Sequence, residues 1–339
     1  MKKKLVTAAV IVCAIVLAVI IGADFFLNQN FSTTFLAMNT TVSLNITGNK
    51  PEEQAEKIRT EITRLDYNLL SRTSAASEIY AINGGKTQVS DEMAKLLADL
   101  KQIEIDSDGA FCIGLGALSD LWGVTTDNPQ VPSQAEIDDS LKNARDWNIN
   151  GNTVYLPEGV KLDMGAIGKG YACDNIIGIV YGTKHVELVA AVGGSVLTYS
   201  SDSKETFKLG IRDPQGQAND YCAILETSNA CISTSGNYER FFEDENGKIY
   251  HHIFDPSTGY PAESGLASVT VIAQQGYVSD ALSTACFVLG IEKSLPLLEE
   301  YGAEAVFITD DNVIYTTLGG SDSTKLTLTN DTYKLGELK

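Results

Sequence analysis

Apolar and polar positions alternate with a period of two through Val42, Leu44 and Ile46, as they do in a strand with one buried face. The period then changes. Behind Pro51, the residues Ile58, Ile62, Leu65 and Leu69 recur at spacings of four and three, which predicts an amphipathic helix. Met93, Leu96, Leu97 and Leu100 mark a second helix, and Ser133 with Glu136 forms a capping box that opens a third through Ile137 and Leu141. The run WNINGNTVYL at 147–156 reads as a hairpin. Strands are expected at 185–192, 207–211, 222–233 and 268–273, where β-branched and aromatic residues lie between turn signals. Residues 241–253 fold back through Glu245, Asn246 and Gly247. A helix at 277–289, another around Leu295 and a pair of strands about Asp310 complete the pattern. Hairpins outnumber possible strand–helix–strand crossovers, so the expectation is an α+β fold with antiparallel sheets and packed helices.

The N-terminus carries a different signal. A basic end, 1–4, precedes an apolar run at 5–23, and about 20 such residues cross a bilayer as a helix. Three lysines before the run and Asp24 after it orient the N-terminus to the cytoplasm and the remaining chain outside. The expectation is an uncleaved single-pass anchor. A cleaved signal peptide is the rival, although Ile21 fits poorly three residues before a cut after Ala23. A linker at 24–34, polar from 28 onward, then leads into one continuous domain, 35–339, without repeats.

Composition narrows the partners. The chain has 339 residues, 25 Lys plus Arg against 44 Asp plus Glu, and a formal charge of -19, which repels phosphate backbones and excludes nucleic acid. A small anionic ligand remains admissible, because backbone N–H groups, one lysine and a divalent cation hold phosphate whatever the net charge. Six cysteines show no C-x-x-C spacing, so those beyond the anchor are expected as core thiols. Only three histidines occur, and two of them, His251 and His252, stand together in YHHIFDPSTGYP at 250–261.

Two further segments carry candidate chemistry. In KLDMGAIGKGYACD, 161–174, Asp163 is expected at a strand end, with Gly165, Gly168 and Gly170 forming a turn around Lys169. Glycines there let a backbone turn its N–H groups toward an anion, and an ordinary strand-to-helix turn is the alternative. In SDALSTACFVLG, 279–290, Asp280 and Thr284 lie four apart on a helix with Ser283 beside them. A carboxylate with hydroxyls suits a hard cation such as Mg²⁺, and a plain helix terminus explains the same residues.

Together these segments resemble, in order, the ApbE-type FAD:protein FMN transferases. The matching blocks are LAMNTTVSL (36–44), GAFCIGLGALSDLWG (109–123), LDMGAIGKGYACD (162–174), LGIRDP (209–214), STSGNYERFF (233–242), HHIFDPSTGYP (251–261) and SDALSTACFVLG (279–290). The resemblance implies a T-fold-related α+β domain. It implies an enzyme that takes FAD with Mg²⁺, passes FMN to a threonine or serine of another protein, and releases AMP. Acceptors of such enzymes are exported or membrane electron-transfer subunits of Rnf-like and Nqr-like kinds and other FMN-binding-domain proteins. Carried over by motif, Asp280, Thr284 and the Ala166 carbonyl hold the metal, assisted by Ser283. Met38, Thr73, Ala110, Phe111, Cys112, Asp163 and Lys169 fall at FAD contacts, and His252 is the base that takes the acceptor's proton. A structural role is expected for His251, on the opposite face of its strand.

The chain departs from the family pattern at four positions. Asn39 stands in place of a glycine, Cys112 of an aspartate, Gly168 of an alanine, and Thr73 of an aromatic over the flavin. Loss of that aromatic keeps a second activity open, hydrolysis of FAD to FMN and AMP. A non-catalytic, membrane-tethered flavin-binding protein is the reading from another class, and the retained Asp280, Thr284 and His252 speak against it.

Overall fold

The computed structural model describes residues 29–319 and 324–338, apart from positions 203 and 218. The expected anchor at 5–23 and the basic end lie outside the described residues. Among those described, no helix is long and apolar enough to cross a membrane.

Strands β1 (Gln29–Ala37) and β2 (Thr40–Gly48) form an antiparallel pair in register from Gln29↔Gly48 to Ala37↔Thr40. The stretch read as linker is therefore strand from Gln29 onward. Its outward residues Asn30, Ser32 and Thr34 bond across to Thr47, Asn45 and Ser43, which gives an edge strand the composition of a loop.

Helix α1 (Pro51–Arg64) follows and widens into a π turn at Leu65–Leu70. Then come α2 (Glu78–Asn83), α3 (Asp91–Asp106), α4 (Gly116–Trp122), and α5 (Gln134–Leu141) behind the expected capping box. The hairpin β3 (Asn148–Asn150) and β4 (Thr153–Tyr155) leads to α6 (Gly168–Val180).

The second half runs through β5 (Glu187–Val192), β6 (Ser195–Ser200), β7 (Phe207–Arg212), β8 (Tyr221–Thr227) and β9 (Ala230–Gly236). It continues with β10 (Phe241–Glu243), β11 (Ile249–His251), β12 (Leu266–Ala273), α7 (Gly276–Leu289) and α8 (Ile291–Glu300). The described chain closes with β13 (Glu304–Thr309), β14 (Val313–Thr316), β15 (Lys325–Leu328) and β16 (Lys334–Leu335).

Nine strands form one sheet in the order β1-β2-β5-β6-β9-β12-β13-β14-β16, antiparallel except for the pair β14–β16. The single strand expected at 222–233 is two strands in different sheets. Asn229 breaks it: its side chain bonds both the N–H and the carbonyl of Ser200, at 2.7 and 2.8 Å, and so pins a turn. β8 then pairs with β7 and β15 in a second sheet that packs on the large one.

This layering explains why every residue of β12 is buried. Val269, Val271 and Ala273 join the helical core, while Ile272 joins Leu225 and Cys222 on the other side. Four of the five described cysteines are buried and all five are free, as expected of core thiols.

The tightest helix contact is between α6 and α7. A Cβ on Gly170 would run into the Gly276 carbonyl, and one on Gly276 into the Gly170 carbonyl. Only two glycines let these backbones meet. Gly170→Ala is expected to cost about 1–3 kcal/mol through overpacking, read as a lower midpoint in thermal or urea unfolding.

Candidate functional site

The first turn of α6 and the body of α7 build the centre of the site. Asp280 is buried on α7, and its Oδ2 accepts the Gly170 N–H at 2.9 Å while Oδ1 accepts from Ser195 Oγ at 3.2 Å. Lys169 Nζ stands 3.8 Å from Oδ1 and 3.3 Å from the Gly165 carbonyl. Burial pushes the Asp280 carboxyl above its ordinary range, opposed by the charge of Lys169 and the N–H of Gly170.

The glycine loop does not offer the N–H groups expected of an anion cradle. Gly165 N–H goes to Asp163 Oδ1 at 2.9 Å, Gly168 N–H to the Met164 carbonyl at 2.8 Å, and Gly170 N–H to Asp280. Gly168 and Gly170 also belong to α6 itself, and Asp163 follows an isolated bridge at Lys161 rather than ending a named strand. Because Gly170 turns to Asp280, the Ala166 carbonyl four residues back loses its usual helical donor. The loop thus presents oxygen.

Thr284 and Ser283 add hydroxyls on the same helix. Ser283 Oγ bonds the Asp280 carbonyl at 2.8 Å, and Ser235 on β9 meets Ser283 at 2.8 Å and Thr284 at 3.3 Å. Behind Asp280, Ser195 accepts from Ser233 at 3.0 Å, and Ser233 meets Ser279 at 2.7 Å. Among the described residues no group of three or more His, Cys, Asp or Glu side chains is placed to hold a metal ion. The Asp280 carboxylate, the Ser283 and Thr284 hydroxyls and the Ala166 carbonyl are all oxygen, the donor type that a hard cation takes.

Met38 and Asn39 form the two-residue turn between β1 and β2 with φ of 52° and 55°. Both positions need left-handed backbone, which asparagine accepts readily and methionine does not. Asp66, in the π turn, holds the strained position by accepting the Met38 N–H at 2.7 Å. A Cβ on Gly168 would lie 3.3 Å from Met38 Cε, so this turn caps the start of α6.

A second group adjoins through residues 163–169. Asp163 Oδ2 is 3.4 Å from Arg72 Nε, and Arg72 also donates to the Gly116 carbonyl and pairs with Asp120 at 3.1 Å. The Asp163 N–H bonds the Ile113 carbonyl at 2.7 Å, which joins it to the Ala110, Phe111 and Cys112 turn. Ala110 and Phe111 are buried, and burial pushes the Cys112 thiol up, so it stays protonated. Thr73 is exposed and bonds Ser71 at 3.2 Å.

His252 is held by one residue twice. Its backbone N–H donates to the Arg240 carbonyl at 3.1 Å and its Nδ1 lies 3.2 Å from the same oxygen. A carbonyl only accepts, so Nδ1 carries the proton and Nε2 keeps its lone pair. Burial lowers this imidazole's pKa to about 4, with the charges of Lys169 and Arg240 acting in the same direction.

His251 is buried instead against Phe287, and its Nε2 donates to the Ala262 carbonyl at 3.1 Å, as a structural role requires. Asp255 accepts from Ser257 in its own turn and leaves the orientation of His252 to Arg240. Trp122 anchors the same loop by donating to the Gly259 carbonyl at 2.9 Å and packing on Tyr250 and Phe254.

The site extends to residues that motif reading passed over. Arg240 guanidinium donates to the Asn39 carbonyl at 3.0 Å, and both residues line a cleft of about 390 Å³ with Glu239, Val124, Thr126 and Phe241. Arg72 and Ser195 are likewise structural partners that sequence spacing does not reveal.

Fold and site define a mixed α+β domain with antiparallel sheets, whose centre gathers a buried carboxylate, a lysine and a neutral imidazole. Residues 38–307 match the sequence model of the ApbE family, and the chain belongs to that family. An FAD:protein FMN transferase of Treponema pallidum is 35% identical over 240 residues, which cover 65% of this chain and 66% of that protein. One of Klebsiella pneumoniae is 29% identical over 297 residues, covering 85% and 92% respectively. The ApbE protein of Thermotoga maritima superposes with a TM-score of 0.78 at 31% identity, covering 84% of this chain and 96% of that one. The flavinyl transferase ApbE of Pseudomonas stutzeri gives 0.70 at 26% identity, covering 90% and 96%.

The His252 environment predicts a pH effect on stability. Between pH 6.5 and about 4 the unfolded chain takes up a proton at this ring that the folded protein refuses, so stability falls as the pH falls through that window. His252→Gln is expected to lose less stability than the wild type between pH 7 and pH 4.5, measured by urea unfolding at both.

Proposed function

We propose that this protein is an FAD:protein FMN transferase. The observation that carries the reading is the neutral His252, its Nε2 lone pair free, beside Lys169 and the oxygen set of Asp280, Thr284 and Ala166. Family membership supports it, since the relatives compared bear that activity in their names.

In the proposed reaction a threonine or serine hydroxyl of the acceptor protein attacks the FMN-side phosphorus of FAD. The new Oγ–P bond forms as the bond from that phosphorus to the bridging oxygen breaks. AMP leaves with that oxygen. The hydroxyl proton goes to His252 Nε2, and the Arg240 carbonyl keeps the ring in the tautomer that can accept it. Mg²⁺, when bound, would neutralise charge on the pyrophosphate. Asp280, Thr284 and the Ala166 carbonyl would hold it, with Ser283 fixing the Asp280 carbonyl behind them. Lys169 adds a cation on the same side.

The acceptors in this reading are FMN-binding-domain or Rnf-like and Nqr-like electron-transfer proteins. The run at 5–23 tethers the enzyme, with its catalytic domain outside the membrane.

One observation favours a second reading. Thr73 is exposed and small where an aromatic would cover the flavin, leaving a route by which water could replace the acceptor hydroxyl and give FMN and AMP.

Mass spectrometry of a purified FMN-binding-domain acceptor after incubation with the protein, FAD and Mg²⁺ tests both readings. A gain of one FMN on threonine or serine, matched by AMP, is expected. Free FMN equal to AMP on an unmodified acceptor would replace transferase with hydrolase. His252→Ala is expected to lower transfer by about 10²–10⁴-fold, the usual contribution of a general base, with FAD binding retained. Asp280→Ala is expected to weaken the Mg²⁺ dependence of FAD binding and turnover together, and unchanged metal titrations would remove it as a ligand.

A further inference from the structure

Lys169, Arg72 and Arg240 are basic side chains in and around the site, and the first two have carboxylate partners. Lys169 pairs with Asp280, and Arg72 pairs with Asp120 and Asp163. Arg240 differs. Its guanidinium donates to one neutral acceptor, the Asn39 carbonyl, and it has no carboxylate partner among the described residues. Arg64, by contrast, holds two glutamates, and Arg212 takes Glu239, the neighbour of Arg240 on the same cleft.

In a chain of charge -19, a half-buried arginine left with free N–H groups on a cleft wall is set up for an anion that is not part of the protein. The glycine loop cannot supply those donors, because Gly165, Gly168 and Gly170 spend their N–H groups internally. Arg240 is also fixed relative to the base. The same residue whose carbonyl receives His252 N–H and Nδ1 carries the guanidinium, which the Asn39 carbonyl holds at 3.0 Å.

We infer that Arg240 is a phosphate ligand of the substrate, binding the FMN-side phosphoryl group while its own carbonyl positions His252. This rests on the transferase reading above and adds a residue to it. The guanidinium fork gives two directed donors to phosphoryl oxygens, where charge accumulates as the acceptor oxygen attacks. Placed there, Arg240 reads the 5′-phosphate of the flavin and ignores the adenylate end.

The test compares Arg240→Ala and Arg240→Lys with the wild-type full chain, by equilibrium binding of FMN, riboflavin and AMP in the presence of Mg²⁺. Thermal unfolding checks that both variants are folded. Arg240→Ala keeps the backbone carbonyl that holds His252, so it separates the cation from the positioning of the base. The expected result is a loss of about 10- to 100-fold in FMN affinity, the effect of a charge-assisted hydrogen bond. Riboflavin and AMP affinities stay unchanged, and lysine recovers part of the loss.

Unchanged FMN affinity, or an equal loss for all three ligands, overturns the assignment. A change confined to the KM for the acceptor overturns it as well, and shows that the guanidinium meets an acidic side chain of that protein. Failure of the transferase reading looks different: the wild type modifies no acceptor, while the FMN and riboflavin comparison still reports on Arg240.

Discussion

The site depends on the contact between Gly170 on α6 and Gly276 on α7. Because neither residue has a side chain, the two helix starts approach until each receives a carboxylate from the other. Asp280 of α7 takes the Gly170 N–H, and Asp174 of α6 takes the N–H groups of Gly276 and Tyr277 at 2.6 and 2.9 Å. Helix N-termini favour negative charge, so the exchange satisfies orphan donors and offsets part of the cost of burying two acids. Burial still raises the Asp174 pKa to about 6.

That exchange also explains why the glycines of the loop have no N–H group to spare. Once Gly170 is committed to Asp280, the Ala166 carbonyl is released and the Lys169 stem lies against Gly193, where a Cβ would come within 3.2 Å of Lys169 Cδ. Lys169 Nζ then stands 3.8 Å from Asp280, and the Arg240 guanidinium donates to the Asn39 carbonyl. The basic groups there stand among acids: Lys169 by Asp280, Arg72 by Asp120 and Asp163, and Arg240 beside Glu239 on the cleft wall.

The imidazole is held from a different part of the fold. β10 and β11 form a hairpin whose Phe242 and Tyr250 pack on Trp122, and the loop after it is tied to α4 by the Trp122–Gly259 bond. This aromatic cluster fixes the loop, and the Arg240 carbonyl fixes the ring within it. One rigid support holds the Asp280 carboxylate and another holds the His252 ring, while Asn39 and Arg240 line the cleft.

Much of this was legible from residue order. The alternation at Val42, Leu44 and Ile46, the helical spacing at Met93 to Leu100 and the capping box at Ser133 each depend on neighbours a few residues away, and each formed as expected. The pairing of Asp280 and Thr284 on one helix face follows from the same local geometry. β1 reads as a linker because an outward-facing edge strand has the composition of a loop, and β8 and β9 read as one strand because the Asn229 turn depends on Ser200, 29 residues away. The direction of the glycine N–H groups, the tautomer of His252 and the freedom of Arg240 were set only by tertiary structure. Each depends on a partner distant in sequence: Asp280 for Gly170, the Arg240 carbonyl for His252, Asn39 for the guanidinium. Short-range periodicity fixes which residues share a face; which donor meets which acceptor is decided when those faces pack.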